Sequence, residues 1–145
     1  MSVRTSIAKA LAEKLKLING VSPYVSNINN NAYSYLKFWD EINDYPAIYM
    51  STGSETRDYL PGGFKWGFLG ISLKIYVKGE DPAQELEQLL EDVEKCVDAN
   101  RTLAYDTGPG YQTTEILINS IVTDEGLLVP YGVGEINLTV QYQVL

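Results

Sequence analysis

Histidine is missing from this chain altogether. That removes the commonest general base, the commonest metal ligand, and every Ser-His or Cys-His pairing a nucleophilic enzyme would use. Cysteine occurs once, as Cys96, so no intramolecular disulfide can form, which argues against a secreted, stapled fold. No stretch approaches the ~18 uninterrupted apolar residues of a membrane span. The N-terminal run MSVRTSIAKALAEKLKLI is broken by Lys9, Glu13, Lys14 and Lys16, so it reads as an amphipathic helix and not as a targeting signal. The expected compartment is the cytoplasm of the producing cell, with no membrane partner. Positive charge is scarce too: 11 Lys and Arg face 19 Asp and Glu, a formal net charge of −8. A lasting grip on nucleic acid rests on clustered cations, so any contact with DNA is expected to be passage and not retention.

What remains is an ordinary globular composition, 45% hydrophobic and 21% charged. At this length a single domain over residues 1–145 is expected, burying roughly 70% of the surface of its unfolded chain. Tyrosine is over-used, with eleven residues. Tyr suits interfaces, where its ring is apolar and its hydroxyl stays satisfied, and it equally suits strands; both readings stand.

Two helices are written plainly. The first runs from about Val3 to Leu17, with Ser2 as N-cap and Ile7, Ala8, Leu11, Ala12, Leu15 and Ile18 at helical spacing, ended by Asn19-Gly20. The second opens on Asp81-Pro82-Ala83-Gln84, a cap, a proline at the first helical position and a glutamine in capping-box spacing. Its apolar stripe is Leu86, Leu89, Leu90, Val93, Cys96 and Val97, and its outer face is acidic: Glu85, Glu87, Glu91, Asp92 and Glu94. Cys96 on that stripe reads as a small buried hydrophobe. Between the helices, Val21 to Ile28 is a weak strand, 27–31 an Asn-rich turn, and 32–44 one or two helical turns or an irregular aromatic segment.

Beyond the second helix, a connector over 101–110 leads to a strand centred on EILINSIV, a turn at Asp124-Glu125-Gly126, and a loop from Leu127 to Gly134 with Pro130 and two glycines, with room for a short strand. The last strand alternates strictly: Ile136, Leu138, Val140, Tyr142 and Val144 against Glu135, Asn137, Thr139, Gln141 and Gln143. One sheet face is therefore covered, and the other, carrying Ser72, Lys74, Tyr76, Thr139 and Gln141, meets solvent or a partner. The order α-β-β-α-β-β gives an α+β, two-layer sandwich: a mainly antiparallel or mixed sheet with both helices on one face.

The stretch from Asp44 to Gly79 reads as a short buried strand, Pro46 to Met50, a polar Gly-rich loop over 51–63, and a long alternating strand, Phe64 to Lys78. Loops of that length in compact domains tend to be functional. This one is expected to be a contact arm, mobile until a neighbour orders it. The interface candidates are Glu55, Arg57, Asp58 and Tyr59 on the loop, with Lys65 and Trp66 where the strand begins.

Chemistry is poorly supplied. Tyr105-Asp106-Thr107-Gly108 contains the Asp-Thr-Gly of aspartic proteases, so a dimeric protease using Asp106 is the alternative enzyme reading. The preceding Leu103-Ala104-Tyr105 is a poor strand for that role, and tripeptides recur by chance. Asp40, Glu41 and Asp44 lack EF-hand spacing and read as solvated. Pro61-Gly62-Gly63 precedes no helix, and Gly67 and Gly70 lie in a strand, where glycine marks a bulge or a close neighbour. No catalytic residue, cofactor or metal ligand is assigned.

The pair YPAIYMSTG and FKWGFLGISLKIYVKGED, followed by PAQELEQLLEDVEKCV, resembles tailed-bacteriophage tail terminator (tail completion) proteins. The match is a Tyr-Pro-Ala-apolar strand leading to a Gly/Glu loop, then a strand leaving through YVKGEDP into the second helix. Size and element order agree over essentially the whole chain; neck, head-tail connector and minor tail proteins of related fold are the competitors. The resemblance implies a structural, non-enzymatic subunit without cofactor that forms a ring, hexameric, on the head-proximal end of the tail tube. That ring stops tube growth and offers a surface to the head. The implied partners are further copies of itself, the tail tube protein and a head-completion or neck protein, with DNA only as passing cargo. The implied place is the virion tail, assembled in the host bacterial cytoplasm. On this reading the loop lies on a neighbour, with Arg57 seeking a carboxylate, and the acidic surplus gives a lumen that does not retain DNA.

Overall fold

The computed structural model describes residues 2–106 and 110–145. In chain order the elements are α1 (Val3–Leu15), a 3-10 turn (Trp39–Glu41), β1 (Ala47–Leu60), β2 (Phe64–Lys78), α2 (Pro82–Ala99), β3 (Ala104–Asp106), β4 (Tyr111–Gln112), β5 (Glu115–Thr123) and β6 (Tyr131–Gln143). Four strands form one antiparallel sheet in the order β1-β2-β6-β5, and β3 pairs with β4 in a separate ribbon. Both helices pack on one sheet face, giving the two-layer α+β sandwich that the patterning predicts. Among the described residues no helix is long and apolar enough to cross a membrane.

The helices start where their caps say they should. Ser2 Oγ accepts from Thr5 N at 3.1 Å, and the Asp81 carboxylate accepts from Gln84 N at 3.3 Å. α1 stops at Leu15, two residues short of the expected end. Leu17 N and Ile18 N donate to Lys14 O and Leu15 O, a tightened last turn that swings Ile18 into the core. Cys96 is buried among apolar neighbours, its thiol donating to Lys14 O at 3.4 Å and its pKa pushed up by burial.

Alternation in β2 and β6 builds the core floor. Leu69, Ile71, Leu73 and Ile75 of β2 lie beside Ile136, Leu138 and Val140 of β6, all facing the helices. α2 sits low over the start of β6 because Gly132 and Gly134 leave room for it. A Cβ on Gly132 would stand 2.9 Å from Pro82 O and 3.4 Å from Leu86 Cβ. β6 accordingly begins at Tyr131, inside what the sequence marks as loop.

The opposite sheet face is less open than its polar residues imply. Tyr76, expected on the solvent side with Ser72 and Lys74, is 6% exposed. Segment 33–45 lies across that end of the sheet and forms a second small core of Ile42, Ala47, Tyr49 and Tyr76, with Tyr33 and Tyr45 packed on it. The Tyr76 hydroxyl donates to Lys37 O at 3.1 Å, and the Tyr33 and Tyr49 rings stack at 5.0 Å. Only one short 3-10 turn forms there.

The weak strand expected over 21–28 is absent, and the reason lies on α2. Asp92, expected on the acidic outer face, is fully buried and accepts from Val25 N at 3.3 Å and Ser26 N at 2.7 Å. Its carboxylate supplies the partners that a neighbouring strand would otherwise give. Asp92→Ala strands those two amides, and the expected cost is about 1–3 kcal/mol, read as a lower denaturation midpoint with an unchanged slope. A neutral result in urea unfolding would show that the loop finds other acceptors.

Candidate functional site

The expected loop over 51–63 does not exist. β1 continues through it to Leu60, and only residues 61–63 turn the chain before β2 begins. Gly62 and Gly63 carry φ of +85° and +84°, the left-handed conformation that the turn needs. Glu55 pairs with Leu69, Arg57 with Gly67, Asp58 with Trp66 and Tyr59 with Lys65. The polar sequence SETRD forms a strand because β2, already fixed by β6, offers it a ladder.

The six candidates divide between the two faces. Cross-strand partners share a face, so Glu55, Arg57, Tyr59 and Lys65 lie on the helix-bearing side, and Asp58 and Trp66 on the other. At Gly53 and Ser54 a bulge shifts the register, opposite Gly70 of β2, and a Cβ on Gly70 would stand 3.3 Å from Ser54 O. The glycine in the strand thus marks a bulge, as the sequence reading has it.

The root of this hairpin is cross-linked. The buried Glu55 carboxylate accepts from the Tyr142 hydroxyl at 2.8 Å and from the Arg57 guanidinium. Arg4, in the first turn of α1, donates to Gly53 O. The Tyr142 ring lies across Gly67, where any Cβ would come within 2.8 Å of it, and meets Tyr105 edge-on at 6.4 Å. Arg57 therefore already has its carboxylate within the subunit. Arg4, Tyr105, Tyr111 and Tyr142 join the site although no local signal marks them. The one clue in sequence is a glycine opposite a large ring.

The tip is apolar. Tyr59 is 70%, Leu60 42% and Phe64 53% exposed, around a turn that extends past the last β2–β6 pair, Trp66–Gln143. Asp106 ends the three-residue β3 and pairs with Tyr111. Thr107 and Gly108 of the Asp-Thr-Gly tripeptide lie outside the described residues. Asp40 and Glu41 are exposed on the 3-10 turn, and no group of metal-ligating side chains is found among the described residues.

The Tyr142 pKa is pushed up to about 12, first by burial and then by the Glu55 carboxylate. A folded-state value above the unfolded value, about 10, means that this contribution is complete below pH ~10 and is lost as pH rises through 12. Tyr24 behaves alike, also near 12, so the test is a difference. The stability gap between wild type and Tyr142→Phe should narrow across that window in alkaline denaturation. A constant gap would show that Tyr142 ionises as readily in the folded chain as in the unfolded one.

Comparison with known proteins follows the same lines. A family profile described as Bacteriophage Tail Tube Terminator Protein matches residues 1–145. Tail tube terminator protein p142 of Escherichia phage T5 is 38% identical over 153 residues, spanning 99% of this chain and 95% of that protein. A chain in the virion of a native gene transfer agent particle superposes with a TM-score of 0.56 over 95% of both chains, at 10% identity, a likeness of fold.

Proposed function

This chain belongs to the bacteriophage tail tube terminator family, and from that premise we propose that its copies meet head to tail in a ring, hexameric, at the head-proximal end of the tail tube. It is a structural protein of the virion tail. The family decides against the neck-protein and minor-tail-protein readings. In the ring, growth of the tube stops because its last layer is covered, and the exposed side of the ring offers the surface that joins the head. The work is done by binding and geometry, without catalysis or cofactor. An Asp106→Asn variant should therefore leave tail assembly and the processing of its partners unchanged.

The observation that carries this reading is the hairpin tip. A polar, cross-linked root holds out three large apolar side chains, Tyr59, Leu60 and Phe64, that the subunit itself does not cover. Apolar surface held on a rigid projection is what a standing protein contact needs. Lys65 and Trp66 flank the tip on opposite faces, and Asp58 lies beside Trp66, so a neighbour can be gripped from both sides.

Excising 55–59 would remove Glu55 and much of the β1 ladder, so the informative changes lie at the tip. Leu60→Asp with Phe64→Asp should leave the folding free energy within ~0.5 kcal/mol of wild type, as exposed changes usually do. The same pair should abolish rings in native mass spectrometry and negative-stain microscopy, whether alone or on tail tubes. Rings that persist in this variant would remove the arm from the interface.

A further inference from the structure

We infer that segment 35–41 of one copy plugs a socket at the hairpin root of the next copy. The inference rests on the reading that copies of this chain assemble. The plug is a firmly held apolar knob. Tyr35 is 55%, Leu36 46% and Phe38 65% exposed, yet their backbone is fixed from beneath. Met50 N donates to Tyr35 O at 3.1 Å, the Tyr76 hydroxyl to Lys37 O, and Glu41 N to Phe38 O at 2.9 Å. A segment fixed in advance loses little freedom on docking. Beside Phe38 stand two exposed carboxylates, Asp40 and Glu41.

The socket is a depression of about 310 Å³ between the start of α1, the hairpin root and the end of β6. Its walls include Val3, Arg4, Arg57, Tyr105, Tyr111 and Tyr142. The chemistry of the two surfaces matches. The tyrosine rings and Val3 suit an aromatic side chain, and two guanidiniums suit neighbouring carboxylates and also stack on rings. Glu55 is the carboxylate bonded to Arg57, and it is committed to Arg57 and Tyr142. Among the described residues, Arg4 donates to a backbone carbonyl, that of Gly53, and to no carboxylate.

Position requires the contact to be between copies. The knob is anchored at Tyr76, opposite Val133 near the start of β6, whereas the socket lies at Tyr142, opposite Gly67 near its end. Nine residues of strand separate them, roughly 30 Å. A subunit cannot fill its own socket with its own knob. Unlike surfaces at opposite ends suit a head-to-tail contact, the kind that generates rings.

The test uses the full chain under conditions where wild type assembles, alone or on tail tubes. Phe38→Asp and, separately, Arg4→Glu should each weaken self-association ten-fold or more, with circular dichroism and thermal midpoint of Phe38→Asp unchanged. The chain carrying Asp40→Arg, Glu41→Arg and Arg4→Glu together should recover association. Full association of Phe38→Asp, or failure of the charge exchange to rescue, overturns the inference while leaving the ring reading intact. Loss of head or tube joining with self-association unaffected also overturns it, by giving the knob to another virion protein. Wild type that never associates, even on tubes, ends the ring reading and this inference with it.

Discussion

The fold depends on β2 being hydrogen-bonded on both sides. From Trp66 to Tyr76 it pairs with β6 on one edge and, apart from the bulge at Gly70, with β1 on the other. Its odd-numbered residues from Leu69 to Ile75 lie in the core under the helices. A strand so constrained has no freedom of register, since a one-residue slip would turn Leu69, Ile71, Leu73 and Ile75 away from the helices. The remaining pieces inherit that register. It places Gly67 under the Tyr142 ring, Gly70 opposite the bulge, and Tyr76 under segment 33–45.

Where local chemistry alone decides, the sequence is readable. Ser2 and Asp81 cap their helices as their types require, and the alternation of β6 puts Ile136, Leu138, Val140 and Tyr142 inside. Where a distant partner decides, it is not. SETRD lacks a strand's alternation and, Thr56 apart, its residue types, and it becomes strand through an edge that only the assembled sheet provides. Asp92 stands among carboxylates of identical appearance, and only the path of residues 25–26 singles it out as buried. The candidate site divides in the same way. Glu55 and Arg57 are visible as charges, but their partner Tyr142 lies 87 positions from Glu55 in sequence. Arg4 reads as an ordinary first-turn residue of a helix, and its reach to Gly53 is a tertiary fact.

Charge is distributed with a similar economy of place. From Glu80 to Asp98 there are eight carboxylates against one lysine, Lys95, so nearly all of the chain's negative surplus sits on and just before α2. Glu87, Glu91, Glu94 and Asp98 recur at helical spacing on one stripe, and like charges in that arrangement cost α2 a few tenths of a kcal/mol per pair. Its burial of Leu86, Leu89, Leu90, Val93 and Val97 outweighs such a cost many times over. The acidity is thus a property of one side of the subunit and not of its whole surface. In the proposed ring, DNA would meet repulsion only where α2 faces the lumen.

The change from loop to hairpin alters the energetics of the proposed assembly. A mobile arm would lose its backbone freedom on meeting a neighbour, at about 1–2 kcal/mol for each residue fixed, a cost subtracted from every subunit contact. In a hairpin built into the sheet, that cost is met during folding by the β1–β2 ladder and the Glu55–Tyr142–Arg57 network. The apolar area of Tyr59, Leu60 and Phe64 is then available to association with less offset. A rigid projection also fixes direction. In a head-to-tail assembly the angle between successive contacts determines whether the chain of subunits closes or runs on as a filament. In the proposed ring, an arm held at its root by Arg4, Glu55 and Tyr142 would define such an angle within the subunit, before any partner is met.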